Sequence, residues 1–323
     1  MSSENVSTRG TILHLQRLST EDGPGIRTTV FFKGCTLRCE WCHNPESLSR
    51  HRQVQWLANR CIGCASCVAA CEVHSLTLTV EGIVRDRGLC VTCGRCVEAC
   101  PSGAMEMLGK EVSAAELTAE LLKDRAYFEK SGGGVTLSGG EPTLQPAFCA
   151  ALMDALHAEG VHVALDTCGL SAPGVFSELA AKADLILFDL KLMNPDEHKR
   201  WTGADNSRIL RNLEIARDFV SRSGGAKRLW IRTPLIPGAT TAPDNLAGIS
   251  AYLGASFDGS VERWELCAFN NLCRDKYERL GMRWTFAETE LLTAKQLTQM
   301  GEWARSGGFD PSRTFVTGAA KAS

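Results

Sequence analysis

From about residue 111 onward, short runs of continuous apolar residues alternate with longer stretches whose apolar positions recur every three to four residues. The short runs are Val135–Leu137, Val161–Leu165, Leu185–Phe188, Leu229–Ile231 and Val261–Leu266. The longer stretches predict amphipathic helices over 113–129, 146–159, 172–182, 206–222, 241–254 and 293–306. An earlier run, Thr28-Thr29-Val30-Phe31-Phe32, ends in a Gly34-Cys35 turn and adds a sixth strand. Strands alternating with helices predict a parallel sheet built from βα units. Residues 52–107 break the rhythm, being short, punctuated by cysteine and poor in periodic stretches, as in a small metal-stapled unit.

Polar and glycine residues follow each strand. Gly34-Cys35 follows the first and Ser138-Gly139-Gly140-Glu141 the second, while Asp166-Thr167 follows the third. Asp189 and Lys191 follow the fourth, Arg232 the fifth, and Asn270 lies beyond the sixth. Active sites of parallel α/β barrels form at the carboxyl ends of the strands, so six such ends predict one shared mouth. Any one of these residues reads equally well as an ordinary turn residue; jointly they are harder to dismiss.

Composition narrows the partners. The chain has 323 residues, 44% hydrophobic and 22% charged, with a net charge of −2. That is globular composition without the basic field of a nucleic-acid-binding protein. No apolar run reaches the roughly 18–20 residues that span a bilayer. The polar start, MSSENVSTRG, lacks the apolar core of a secretory signal. The expectation is a cytoplasmic monomer with no nucleic-acid or membrane partner.

Cysteine changes the picture most. Of fifteen, eleven fall between Cys35 and Cys100. A reducing compartment disfavours disulfides, so this density points to metal. Cys35, Cys39 and Cys42 have the spacing C-x3-C-x2-C on the loop after the first strand. Three thiolates leave a tetrahedral zinc site unfinished and leave one iron of a four-iron cluster open. A zinc site completed by His43 is the alternative, and adjacency to Cys42 makes joint chelation awkward.

Cys61, Cys64, Cys67 and Cys71, then Cys90, Cys93, Cys96 and Cys100 before Pro101, repeat the bacterial ferredoxin run. In that run the fourth cysteine serves the other cluster. The expected sets are Cys61, Cys64, Cys67 with Cys100, and Cys90, Cys93, Cys96 with Cys71. Glu72 stands where proline usually follows, and a pair of zinc knuckles is the alternative. Cys149, Cys168, Cys267 and Cys273 show no ligand spacing and read as small core residues. The fold expected is therefore α/β, a partial, open TIM-type barrel of the (β/α)6 kind over 1–51 and 108–323. A ferredoxin-like domain with two [4Fe–4S] clusters is inserted at 52–107.

The stretch Asp22-Gly-Pro-Gly-Ile-Arg-Thr, running on through Phe-Phe-Lys-Gly-Cys to Cys42-His-Asn-Pro-Glu46, resembles the radical S-adenosylmethionine (SAM) activating enzymes of glycyl radical enzymes. So do Ser138-Gly-Gly-Glu-Pro142, Asp166-Thr167, Asp189-Leu-Lys191 and Trp230-Ile-Arg232. The resemblance spans residues 11 to 280. It implies a catalytic [4Fe–4S] cluster on Cys35, Cys39 and Cys42, whose open iron chelates SAM. Reductive cleavage then releases a 5′-deoxyadenosyl radical that takes a hydrogen from a glycine of a partner lyase.

By the same resemblance Trp41 packs near the adenine, and Gly139, Gly140 and Glu141 meet the methionine amino end. Asp166, Thr167 and Asp189, with the Leu187 carbonyl, match a monovalent-cation site. Lys191 and Arg232 are candidates for the cofactor's ribose or carboxylate, and Asp22 matches a residue that meets the partner's glycine loop. Phe269-Asn270 stands where relatives of the pyruvate formate-lyase activase type carry Tyr-His; Asn270 can hydrogen-bond the nucleoside but does not titrate.

The resemblance implies a flavodoxin or ferredoxin reductant and oxygen-sensitive, anaerobic chemistry. The insert reads equally as an electron relay and as a staple or docking surface. The segment Leu266–Lys276 suggests isethionate sulfite-lyase as partner, with choline trimethylamine-lyase next. The competing functions are a radical SAM enzyme acting on another peptide or metabolite, and a ferredoxin-like electron carrier.

Overall fold

A computed structural model describes residues 8–257 and 259–321; the first seven residues of the polar start lie outside them. The strands are β1 (Arg9–Ser19), β2 (Arg27–Phe32), β3 (Gln53–Trp56), β4 (Leu76–Thr79), β5 (Gly82–Arg85), β6 (Met105–Leu108) and β7 (Lys110–Ser113). They continue as β8 (Gly134–Gly139), β9 (Val163–Thr167), β10 (Leu185–Asp189), β11 (Arg228–Leu235), β12 (Arg263–Ala268) and β13 (Thr314–Thr317).

Nine of these form one sheet in the order β13-β12-β11-β10-β9-β8-β2-β1-β7. The strands from β13 to β2 are parallel neighbours, whereas β1 and β7 join antiparallel at the far edge. The order has two ends, so the barrel is partial and open. The six expected strands are its centre.

The edge strands escaped the sequence reading. β1 alternates irregularly and is largely exposed, and β7 and β13 are four residues each. The helix expected over 113–129 is two, Ala114–Leu121 and Arg125–Ser131, joined by a 3-10 turn at Leu122–Asp124. Helices Pro195–Thr202 and Arg274–Arg279 were not expected. Proline opens the helices at Pro146, Pro173, Pro195 and Pro243, where its missing N–H costs nothing.

The strand period of two sorts the central strands into two faces. Leu165, Ile186, Phe188, Leu229 and Ile231 face outward into the main core against the helices, with Leu179, Leu213 and Leu253. Ala164, Leu185, Leu187 and Trp230 form a small cluster on the opposite face, inside the barrel. Asp166, Asp189 and Arg232 share that inner face two residues further along. The same alternation that buries the core thus raises two carboxylates and a guanidinium into the carboxyl-end mouth.

The inserted unit is tied where it enters and leaves by the antiparallel β3–β6 pair. Between them lie the β4–β5 hairpin and two one-turn helices, Ser66–Ala69 and Arg95–Glu98, each preceded by a left-handed residue, Ala65 or Gly94. Its core is made of Val54, Leu76, Ile83 and Met105 with Cys67, Cys71 and Cys96.

Candidate active site

The loop after β2 carries Cys35, Cys39 and Cys42 and is pinned from three sides. Arg38 N–H donates to the Thr202 carbonyl at 2.7 Å and Glu40 N–H to that of Trp201 at 3.1 Å. The Tyr277 hydroxyl donates to the Cys42 carbonyl at 2.9 Å, and the Lys276 ammonium to the His43 carbonyl at 3.1 Å. Trp41 is buried with Phe269, Tyr277, Trp284 and Phe286 in an aromatic cluster behind the loop.

This loop forms one wall of a cavity of about 320 Å³. All three cysteines line it, with Trp41, Gly139, Gly140, Asp166, Thr167, Asp189, Lys191, Arg232 and Asn270. Glu141 and Asp22, also expected here, do not line it. Both Glu141 oxygens are already engaged: Oε1 accepts from Thr143 N–H and hydroxyl and from the Thr167 hydroxyl, Oε2 from Cys168 N–H at 2.9 Å. Glu141 is a fully buried tie between the loops after β8 and β9. Asp22 accepts from the Ser19 and Thr29 hydroxyls, each at 2.6 Å, and stands 4.0 Å from Arg232.

The glycines have a structural cause of their own. A Cβ on Gly139 would come within 2.6 Å of the Phe31 and Phe32 backbone, and one on Gly140 within 2.0 Å of the Gly34 carbonyl oxygen. They let the loop after β8 press against the start of the cysteine loop; Glu141 N–H donates to that Gly34 carbonyl at 2.7 Å.

Charge inside the cavity is paired but strained by burial. Arg232 lies 3.7 Å from Asp166 and 3.1 Å from Glu265, and its guanidinium also donates to the Glu21 carbonyl. Burial pushes the Asp166 carboxyl up, the nearby Asp189 and Asp22 charges add to this, and Arg232 and the Ser138 hydroxyl oppose it. Lys191 is ion-paired with Asp189. Burial works against the Lys191 charge, yet the Asp189 carboxylate holds it protonated.

Burial pushes each of the Cys35, Cys39 and Cys42 thiols up to about 12. Bare, they would stay protonated; as thiolates they need a cation, which is what an iron–sulfur group supplies. They ring the cavity instead of converging on a point. Among the described residues no group of three His, Cys, Asp or Glu is gathered as a single metal ion would require. His43 also lines the cavity, with Nε2 buried and unpartnered. Donor set, burial and volume therefore fit an iron–sulfur group with a nucleoside-sized ligand beside it.

In the insert a second, small cavity is lined by Cys71, Cys90, Cys93 and Cys96, drawn from both runs. Charges couple along the same division: Cys96 feels Cys90, Cys93 and Cys71, while Cys67 feels Cys100 and Cys61. Cys64 and Cys93 are exposed.

Residues 29–245 match the Radical SAM superfamily. The trans-4-hydroxy-L-proline dehydratase activating enzyme of Clostridioides difficile is 36% identical over 93% of this chain and 97% of that protein. The chain is a radical SAM glycyl-radical-enzyme activating enzyme. The benzylsuccinate synthase activating enzyme of Thauera aromatica is 40% identical over 84% of this chain and 81% of its own length. The isethionate sulfite-lyase activating enzyme of Oleidesulfovibrio alaskensis is 35% identical over 94% and 99%. Membership implies a [4Fe–4S] cluster and SAM. Among the described residues no helix is long and apolar enough to cross a membrane.

The sequence reading of this activating enzyme missed several cavity residues. Cys168 and Cys267, read as core, line the cavity, as do Pro234 and Ile236. Alternation held the signal for Cys267: Trp264 and Leu266 face the main core, so Cys267 points inward, as does Glu265, which pairs with Arg232. Lys276 and Tyr277 reach the loop from a helix too short to announce itself.

Proposed function

We propose that this activating enzyme generates a glycyl radical on isethionate sulfite-lyase, with choline trimethylamine-lyase the second candidate partner. The observation that carries the activase chemistry is the ring of three buried thiols beside Asp166–Arg232 and Asp189–Lys191 at the strand ends. Support for the first partner is the segment Leu266–Lys276, with isethionate-type relatives among several that match this chain nearly end to end. The relatives serving other lyases are similar enough that identity alone does not choose among them.

Three [4Fe–4S] clusters are proposed: one on Cys35, Cys39 and Cys42, one on Cys61, Cys64, Cys67 and Cys100, and one on Cys90, Cys93, Cys96 and Cys71. The catalytic cluster and SAM, when bound, supply an electron and the 5′-deoxyadenosyl radical. Trp41, backed by Trp201 at 6.4 Å, offers an apolar wall to the adenine. The Gly139–Gly140 backbone faces the methionine end, Asn270 the nucleoside, and Lys191 and Arg232 the ribose or carboxylate. A monovalent cation at Asp166, Thr167 and Asp189 would compete with the Lys191 ammonium for Asp189. Asp22, 4.0 Å from the cavity residue Arg232, is the residue assigned to the partner's glycine loop. The reductant is a flavodoxin or ferredoxin, and the enzyme works as a monomer in the cytoplasm.

The test is anaerobic reconstitution to about twelve irons per chain, four for each cluster. Incubation with SAM, reductant and each candidate lyase should then yield a glycyl radical seen by electron paramagnetic resonance (EPR). Cys39→Ala should lose cofactor cleavage and about four irons while the insert signals persist. Retained cleavage would refute the catalytic assignment; a radical only in another lyase would refute the partner.

A further inference from the structure

The cysteine loop has a second opening. Outside it lies a groove of about 520 Å³. Cys35 lines both the groove and the catalytic cavity. Leu48, Leu280 and Met282 make its apolar part, Met282 being 40% exposed. Its polar lining includes Arg38, Arg50 and His51, all exposed, and no carboxylate. Glu46, the nearest acidic residue in sequence to Arg50, is turned instead to Lys276 at 3.2 Å. A chain with net charge −2 thus presents two arginines and no carboxylate around Cys35 on this side.

The insert offers a different surface. Its exposed Cys64 and Cys93 are flanked by Ile62 and Val91, 68% and 62% exposed. The nearby charges there cancel, as in the Arg95–Glu72 ion pair. Charge steers association, and apolar contact beside a redox centre brings the partner close. Of these two surfaces, the groove beside Cys35 combines both.

We infer that this groove docks a small acidic electron-transfer protein, which reduces the catalytic site directly without passage through the insert. The inference rests on the activase reading above. In this step the partner is oxidised by one electron and the iron–sulfur group held by Cys35 is reduced by one, with no bond made or broken. The insert is then left to shape and docking.

The experiment uses fully reconstituted enzyme, an acidic flavodoxin as the probe, and dithionite as a small reductant that needs no docking surface. Arg50→Glu and His51→Glu, both on the surface, should each weaken flavodoxin binding by calorimetry roughly tenfold and flatten its salt dependence. Photoreduced flavodoxin should reduce the catalytic centre more slowly by the same factor in EPR, while dithionite reduces it at the unaltered rate. Ile62→Asp combined with Val91→Asp, which puts charge on the exposed apolar face of the insert, should leave flavodoxin-driven reduction of the catalytic centre in place. The inference is overturned if both groove substitutions bind flavodoxin normally, if they weaken only the lyase, or if the insert pair abolishes flavodoxin-driven reduction. Absence of SAM cleavage by wild-type enzyme under dithionite would instead sink the activase reading.

Discussion

Glu141→Gln separates two roles for the acidic residue of the Ser-Gly-Gly-Glu-Pro stretch. The carboxylate accepts four hydrogen bonds with no exposure to solvent, three at Oε1 and one at Oε2. A glutamine of the same shape keeps the three donors on its oxygen but turns its NH2 toward Cys168 N–H. That buried donor is left without an acceptor, at about 1–3 kcal/mol, and the remaining bonds lose the strength that charge gave them. The sum is about 2–4 kcal/mol, a large part of a stability of roughly 5–15 kcal/mol. Anaerobic urea unfolding followed by circular dichroism measures it, with SAM binding measured on the fraction that remains folded. Stability should fall by that amount, with cofactor affinity falling as the Thr167–Cys168 wall shifts. Unchanged stability with weakened SAM binding would refute the reasoning and restore Glu141 to direct contact with the cofactor.

Two further outcomes test packing, one at the mouth and one at the amino ends of the strands. Gly140→Ala places a methyl 2.0 Å from the Gly34 carbonyl oxygen, so the loops must part; a loss of about 1–3 kcal/mol and of SAM affinity is expected by the same unfolding and binding measurements. His162 lies 3.3 Å from the buried Arg27 guanidinium, and burial followed by the Arg27 charge lowers its pKa to about 4. The unfolded chain therefore takes up the proton first, near 6.5, and stability present above that pH is lost as pH falls toward 4. After allowance for partial exposure, roughly 1 kcal/mol should disappear between pH 7 and 5.5, and His162→Gln should remove that slope. Equal slopes in the two proteins would show that another group titrates.

The central strands were legible because each is a short apolar run bounded by turn residues, as Leu185–Asp189 and Val163–Thr167 show. The edge strands were not, because β1 buries little and leaves no regular alternation to read. Of the expected site residues, those at strand ends line the cavity. Glu141, also expected at a strand end, and Asp22, expected by resemblance, do not line it: the Thr143 and Thr167 hydroxyls occupy the first and the Ser19 and Thr29 hydroxyls the second.

By itself the order of residues determined the cysteine spacings, two runs of them of the ferredoxin type, and the inward register of Asp166, Asp189 and Arg232. These follow from covalent adjacency and a two-residue period, which need no knowledge of neighbours. Tertiary structure alone decided who stands opposite whom: Arg232 against Asp166, Tyr277 on the Cys42 carbonyl, Glu141 across to Cys168, and a groove that shares Cys35 with the cavity. Those pairings join elements far apart in the chain, and only the closing of the sheet and the burial of its charges bring them within reach.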